Sequence, residues 1–246
     1  MVKLTKRKKR SNAPKFWIIG GVVVCSAIVA IVVAIVAFTS IKQGQETSQA
    51  YEHTKANATV VFKQNKGKVA ADTSDIPYSK KAEKVDYKAS EDIERLSWDD
   101  LRAFQGSKEE RAIVASSNAV IEIPRFKLAL PILEGTNTNH LKVGATTFRE
   151  YQGLTEGNYI LLGHNMGRSG VLFSDVPQLK KGDKIIITQK EGKKRATYTY
   201  EVSKKQEVDQ KQTSVLENTD QKQLTLITCA SEHTTSKRIV VTASPI

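Results

Sequence analysis

Three stretches of the chain differ in how hydrophobic and polar residues alternate. Residues 16–41 form an unbroken run without a charged side chain. About 20 apolar residues in a helix cross a bilayer, and a helix satisfies its own backbone hydrogen bonds in lipid. The run therefore predicts a transmembrane helix over residues 16–41. Residues 42–92 are polar, mixed in charge and weakly periodic, which predicts a loosely ordered stalk in which residues 46–62 can form a helix and His53 is solvated.

A folded domain is predicted over residues 93–246. It opens with a short helix that Ser97 can cap, with Asp100 at the position that completes a capping box. From Asn118 on, short β-rich runs alternate with turn residues, a spacing typical of an all-β sandwich or barrel. One run alternates cleanly and places on one face Ala196, Tyr198, Tyr200 and Val202. Seven candidate strands follow from these runs, at residues 118–123, 126–132, 158–163, 184–188, 196–202, 224–229 and 238–243.

The distribution of charge argues against a nucleic-acid partner. The chain has 38 Lys+Arg against 26 Asp+Glu, a net charge of +12, and a basic face on a folded domain would suggest nucleic-acid binding. However, seven of the basic residues precede residue 16, and no acidic residue occurs before Glu46. Over half of the excess is therefore a terminal cluster, which predicts a basic tail over residues 1–15 and no nucleic-acid partner.

The same cluster predicts the orientation in a membrane. Basic residues beside a span stay in the cytoplasm, so the tail is expected inside and residues 42–246 outside a single-pass cell-membrane anchor. Two alternatives are a cleaved signal peptide and a buried core helix. The apolar stretch of a signal peptide is typically about 7–15 residues, which is shorter than residues 16–41.

The two cysteines point to one candidate site. Cys25 lies in the predicted span, so Cys229 is the only thiol outside it. The strands that end at Cys229 and begin at Arg238 can pair as an antiparallel hairpin, which brings both residues to the same rim of a barrel. A thiolate is a nucleophile, and a neighbouring base or cation activates it. His164, at the end of a strand, is the best-placed base, with His233 in the hairpin loop as the alternative. The alternatives without catalysis are that Cys229 is a buried structural thiol and that Arg238 is a solvated charge at the end of a strand.

These residues carry a resemblance to a known family. The block "TLITC" with a following arginine, an upstream "GH" and the N-terminal anchor resembles the sortases, which are membrane-anchored cysteine transpeptidases of Gram-positive cell surfaces. The resemblance covers about residues 93–246 and includes "IEIPRFKLALPILEGT" and "LFSDVPQLKKGDKIIIT". Within the family the chain is similar to the housekeeping, class A type.

The resemblance implies a fold and a set of roles. The fold is an eight-stranded closed β-barrel with short helices. Cys229 would be the nucleophile, His164 the general acid and base, and Arg238 the cationic donor. Weaker correspondences concern residues that would contact the substrate. They are Thr228, which precedes the cysteine, Leu162, which lies two residues before His164, and the pair Val215 and Leu216 in "SVLEN".

The resemblance also implies a reaction. The enzyme would cleave a Leu-Pro-x-Thr-Gly (LPxTG) sorting signal of surface proteins between Thr and Gly, through a thioester. It would then transfer the protein to an amine of a cell-wall precursor, the stem peptide of lipid II. No cofactor is expected. No metal is expected either, although acidic residues that could serve a calcium site, as in some relatives, are Glu134, Glu207, Asp209 and Glu217.

Three alternatives stay open. A pilin-polymerising sortase is disfavoured because no Asp-Pro-aromatic lid precedes the barrel and no second hydrophobic span follows it. A hydrolytic cysteine peptidase would release fragments without transfer. A non-catalytic anchored barrel would bind peptides and would not need Cys229.

Overall fold

A computed structural model describes residues 15–63, 95–149, 152–191 and 194–246. The chain divides into two units, Met1–Glu46 and Thr47–Ile246. The predicted basic tail, apart from its last residue, and residues 64–92 of the predicted stalk lie outside the described residues. Their predictions therefore stay untested.

The first unit contains most of the long helix α1 (Lys15–Lys63). Large apolar side chains between Ile28 and Ile41 are more than half exposed. Within the described residues, Ala27–Phe62 of α1 is the one helical stretch that passes a test of length and hydropathy for crossing a membrane, because an 18-residue window in it has a mean hydropathy of 2.0. This helix is compatible with the predicted membrane anchor.

The second unit is built on eight strands. These are β1 (Ala119–Ile123), β2 (Leu128–Leu133), β3 (Ala145–Thr147), β4 (Asn158–Leu162), β5 (Lys184–Glu191), β6 (Lys194–Asp209), β7 (Gln223–Cys229) and β8 (Lys237–Pro245). They close into a barrel in the order β1-β2-β3-β4-β7-β8-β6-β5, which confirms the all-β, eight-stranded fold. The strand that the hydrophobic pattern missed is β3, because three residues are too few to show an alternation.

Short helices flank the strands. They are α2 (Trp98–Phe104), α3 (Lys108–Ser116) and α4 (Thr138–Val143), with single 3₁₀ turns at Pro124–Phe126, Val176–Gln178 and Thr213–Leu216. The predicted cap of α2 is present, since the Ser97 hydroxyl accepts the backbone N–H of Asp100 at 3.1 Å.

Two strand pairs in the barrel are parallel, and one of them positions the candidate site. The pairs β2–β3 and β4–β7 are parallel, whereas the other neighbours are antiparallel. In the β4–β7 pair Leu162 lies beside Ile227. Because parallel strands end at the same edge of a sheet, the residues that follow β4 lie next to the last residues of β7.

The barrel interior follows the period of two that strands impose. Tyr200 and Val202 are buried in the interior cluster, and Tyr198 packs against it, as the alternation in β6 predicts. The same cluster takes one face of β7 through Leu224 and Leu226. The interior is therefore filled with side chains, and chemistry must lie at the rim or on the outer face.

Residues Thr47–Lys63 of α1 are helical, as the sequence allowed for residues 46–62, but they pack within the second unit and are not loosely ordered. Ala50, Ala58 and Val61 are at most 4% exposed. The expectation that His53 is solvated is wrong, since its Nε2 lies 2.9 Å from both carboxylate oxygens of Glu110. The apolar stripe of this helix consists mainly of alanine and threonine, and so it gives a weak hydrophobic period in the sequence.

Candidate active site

Cys229 and Arg238 face each other across the β7–β8 hairpin. Cys229 is the last residue of β7 and pairs in register with Arg238 in β8. Leu226 points into the barrel, whereas Ile227 belongs to a cluster on the outer face. Side chains alternate along a strand, so Cys229 shares the outer face with Ile227. The thiol is free and half-buried.

His164 reaches the same end of the barrel from β4. Gly163 N–H donates to the carbonyl of Ile227 at 3.2 Å, which continues the β4–β7 pairing by one step. In the same register His164, two residues beyond Leu162, comes level with Cys229, two residues beyond Ile227. The loop is held there because Asn165 Nδ2 donates to the carbonyl of Cys229 at 3.0 Å. The structure thus brings His164, Cys229 and Arg238 to one end of the barrel.

The imidazole of His164 is poised as a neutral base. The pKa of His164 is lowered from 6.5 to about 4, chiefly by burial and also by the positive charges of Lys142 and Arg95. Desolvation disfavours the charged form of a histidine, and so do nearby cations. Its Nε2 is buried and has no hydrogen-bond partner among the described residues. At neutral pH the imidazole of His164 is therefore uncharged.

The guanidinium of Arg238 is held at the rim by polar groups of its own hairpin and of the end of β6. Nη1 donates to the carbonyls of Thr235 at 3.0 Å and Lys237 at 3.1 Å. Nη2 donates to Gln210 Oε1 at 3.0 Å. An arginine is permanently charged and has five donors in a fixed plane, so this site holds a stable positive charge opposite the thiol.

The three predicted apolar substrate residues lie together on the outer face. Leu162, Val215 and Leu216 pack against one cluster. Its other members are Phe148, Ile160, Val208, Ile227 and Val240. The cluster covers the outer face of β4 and β7 on the side of the sheet that carries Cys229.

The turn that carries Val215 and Leu216 is tied to β4. Asn158 Nδ2 donates to the carbonyl of Glu217 at 2.9 Å, and the guanidinium of Arg149 donates to the carbonyl of Leu216. The strand β6 ends at Asp209. The stretch between β6 and β7 is therefore held by side chains that lie outside it.

Thr228 occupies the interior side of β7. It is 2% exposed, and its hydroxyl donates to the carbonyl of Gly163 at 2.7 Å. Gly163 is itself confined, since a Cβ at this position would lie 2.6 Å from the ring of Phe173. In the structure Thr228 therefore fixes the backbone before His164, and its contact with a substrate stays a prediction.

Sequence reasoning missed several residues that shape the site. Asn165 follows His164 directly, and an amide beside a candidate base is the signal that could have found it. Arg95 and Lys142 act on His164 through their charge, and Arg95 Nη1 also lies 3.3 Å from Thr234 Oγ1 in the β7–β8 loop. No local pattern connects these two cations to His164, because they come from distant parts of the chain.

The described residues offer no obvious metal site. Among residues 15–63, 95–149, 152–191 and 194–246, no group of three or more His, Cys, Asp and Glu side chains is arranged to hold an ion. Asp209 lies 3.8 Å from Lys237 Nζ.

A thiol, an imidazole and a permanent cation at one end of a closed β-barrel define a site suited to acyl transfer through sulfur. Comparison with known proteins agrees with this class. Residues 121–246 match the sortase domain family. Sortase A of Bacillus anthracis is 37% identical over 163 residues, which is 65% of this chain and 74% of that protein. Sortase A of Listeria monocytogenes is 40% identical over 120 residues, 49% of this chain and 52% of that protein.

A solved structure of the Listeria monocytogenes sortase A aligns with a TM-score of 0.49 at 34% identity, over 53% of this chain and 88% of that one. The chain belongs to the sortase family. It is therefore a cysteine transpeptidase by class, and its relatives make it similar to class A within the family.

Proposed function

We propose that this chain is a membrane-anchored transpeptidase that cleaves an LPxTG-type signal between Thr and Gly and joins the Thr carbonyl to an amine of a cell-wall precursor, the stem peptide of lipid II. The observation that carries the proposal is the meeting of three groups at one end of the barrel. Cys229 pairs with Arg238, and the residue after His164 is bonded to the carbonyl of Cys229.

The first half of the reaction forms a thioester. His164 takes the thiol proton, and Cys229 Sγ attacks the Thr carbonyl carbon. The resulting oxyanion is stabilised by the fixed charge of Arg238, which stands opposite Cys229 in the hairpin. The C–N bond to Gly then breaks, and His164 gives its proton to the departing amine.

The second half reverses these steps with a different amine. The amine attacks the thioester carbonyl and passes a proton to His164, which returns it to the departing sulfur. One group serving first as base and then as acid is required by reversibility. A neutral imidazole in the resting state, the consequence of its low pKa, suits this sequence because the first proton moves onto the ring.

The apolar cluster supports the proposed substrate. The Leu and Pro side chains of the signal are apolar, and the outer face beside Cys229 carries Leu162, Val215 and Leu216. A peptide lying over this cluster would bring its Thr carbonyl toward the end of β7.

The proposed location follows from α1 and the basic tail. The tail would lie in the cytoplasm and the barrel outside, where surface proteins and the wall precursor meet. Protease added to intact cells should digest the barrel and spare an epitope tag fused before Met1. An untouched barrel and a digested tag would contradict this orientation.

The activity is tested with the full chain in detergent micelles. A fluorescent Leu-Pro-x-Thr-Gly peptide, with x varied, is mixed with triglycine, and the products are identified by mass. We expect a product that joins the Thr carbonyl to triglycine, with none from Cys229→Ala. His233→Ala serves as the matched control for His164→Ala, because His233 is exposed in the hairpin loop.

Each other outcome selects a different function. A free Thr carboxylate in abundant triglycine indicates a hydrolytic peptidase. Absence of any reaction from the wild-type chain, with every x, overturns the proposal and favours a peptide-binding barrel. Transfer to the ε-amine of a lysine peptide in preference to triglycine favours a pilin-polymerising enzyme.

A further inference from the structure

The backbone ladder between β4 and β7 stops short of the reacting groups. The last registered pair is Leu162 with Ile227, and one further backbone bond joins Gly163 N–H to Ile227. His164 and Cys229 follow on the two strands. Beyond that bond, the described hydrogen bonds between the two segments involve side chains.

Two side chains extend the connection beyond the ladder. Thr228 donates its hydroxyl proton to the carbonyl of Gly163 at 2.7 Å. Asn165 donates from Nδ2 to the carbonyl of Cys229 at 3.0 Å. The first bond lies just before the reacting pair of residues, and the second lies just after His164. The thiol and the imidazole therefore sit on backbone that is bonded on both sides.

The partners of Asn165 fix the orientation of its amide. Oδ1 accepts the backbone N–H of Gly167 at 2.9 Å, while Nδ2 faces a carbonyl oxygen. A carbonyl can only accept and an N–H can only donate, so a flipped amide would lose both bonds. An aspartate of the same shape keeps the bond to Gly167 but sets an oxygen against the carbonyl of Cys229.

The imidazole ring of His164 is packed among its neighbours, but no described hydrogen bond fixes its Nε2 atom. His164 Nε2 has no hydrogen-bond partner among the described residues, and the described bond to its backbone is from Phe173 N–H at 2.9 Å. The alignment of the ring with the sulfur therefore depends on where the backbone of residues 163–165 lies against the end of β7.

We propose that Asn165 is a positioning residue for the acyl transfer: its side-chain amide ties the carbonyl of Cys229 to the loop after His164 and so fixes the sulfur against the imidazole. This inference rests on the proposed function. Asn165 acts through the two backbones, and neither the peptide nor the amine needs to touch it.

The test uses the full chain in detergent and separates alignment from folding. Asn165→Ala and Asn165→Asp are compared with wild type and with Asn137→Ala. Asn137 also bonds a backbone N–H through its side chain, that of His140 at 2.8 Å, and it caps α4 outside the site. The kcat and KM of peptide transfer are measured, together with the rate at which iodoacetamide alkylates Cys229 at about pH 9.5, where a free cysteine is mostly thiolate.

Alkylation of a thiolate by a small reagent requires no aligned imidazole, whereas transfer does. We expect both Asn165 variants to lower kcat by about 10- to 100-fold, since a misplacement of about 1 Å can cost two orders of magnitude. KM and the alkylation rate should change less than about twofold, on the same principle of alignment without loss of binding. Asn137→Ala should keep the wild-type kcat.

Three results overturn the inference while leaving the proposed function intact. One is a wild-type kcat in both Asn165 variants. Another is a full kcat in Asn165→Asp, which would show that shape and not donation matters. The third is a fall in alkylation and melting temperature that matches the fall in kcat, which would mark a general structural role. A wild-type chain that transfers nothing overturns the proposed function instead.

Discussion

Replacing Glu110 with alanine should loosen the packing of Thr47–Lys63, the part of α1 that belongs to the second unit. Glu110 lies on α3 and is 2% exposed. Its carboxylate accepts from His53 Nε2 and from Asn57 Nδ2, each at 2.9 Å, and from the backbone N–H of Gly106. Two of these donors belong to α1. The alanine variant removes the acceptor that they share.

The size of the effect follows from burial. Removing a buried acceptor costs about 1–3 kcal/mol for each donor that is left unsatisfied away from water. The His53 side chain keeps 32% exposure, so water replaces part of what it loses, and we expect about 3 kcal/mol. For a unit of roughly 200 residues, each kcal/mol shifts the melting temperature by about 2–4 °C. The variant should therefore melt roughly 6–12 °C below wild type.

The assay is thermal unfolding of the full chain in detergent, followed by the fluorescence of Trp98 in a Trp17→Phe background. Glu109→Ala is the matched control: it is adjacent on α3, exposed, and bonded only at the surface to Asn139 Nδ2. Its effect should stay within about 0.5 kcal/mol. A double variant of His53→Ala with Glu110→Ala should lose less than the sum of the two single variants.

A Glu110→Ala variant that melts no lower than Glu109→Ala would contradict the predicted loss of stability. That result would mean that the contacts between α1 and Glu110 do not contribute to the stability of the second unit. Strict additivity of the His53 and Glu110 variants would refute the pairwise contact in particular, because residues that share a bond are coupled.

The remaining predictions concern the site. Gly163→Ala should lower peptide transfer at least about tenfold, because its Cβ would lie 2.6 Å from the Phe173 ring and displace the backbone before His164; an unchanged rate contradicts this. The pKa of His164 is lowered from 6.5 to about 4, so the unfolded chain binds more protons in that window, and the free energy of unfolding should fall as pH drops through it. His164→Gln should flatten this slope in denaturant titrations, and the exposed His233→Gln should not. Arg238→Lys should lower the kcat of transfer by about 100-fold with near-normal melting, because lysine keeps the charge but not the planar donors.

The strands were predictable because each is a local pattern. Seven β-rich runs correspond to seven strands of the barrel, and the alternation in β6 correctly placed Tyr200 and Val202 inside. The short β3 was not predictable, since its pairing with β2 and β4 depends on neighbours far along the chain. Barrel closure itself came from the family resemblance and not from the pattern.

The candidate site shows the same division. A hairpin is local, so the opposition of Cys229 and Arg238 followed from spacing alone. The pairing of β4 with β7 is not local, and position at a strand end could rank His164 above His233 without showing that these strands are neighbours. Asn165 and the cations at Arg95 and Lys142 were missed because their effects on the site depend on three-dimensional proximity.

The helix at Thr47–Lys63 marks a limit of hydrophobic patterns. Its buried positions include Ala50, Thr54 and Ala58, whose small side chains give a weaker hydrophobic signal than leucine or valine would. The part-buried pair of His53 and Glu110 adds nothing to a hydrophobic period. The sequence therefore allowed a helix over residues 46–62 but gave no sign that this helix packs on the barrel.

The parallel pairing of β4 with β7 also constrains the order in which the protein acquires reactivity. These strands cannot meet through a tight turn, since parallel neighbours require a long connection, and here β5 and β6 lie between them in the chain. Contacts between distant segments form late and slowly. A chain in which β4 and β7 have not yet paired consequently holds a lone sulfhydryl, and the sulfur and the imidazole come together only when these two distant segments meet.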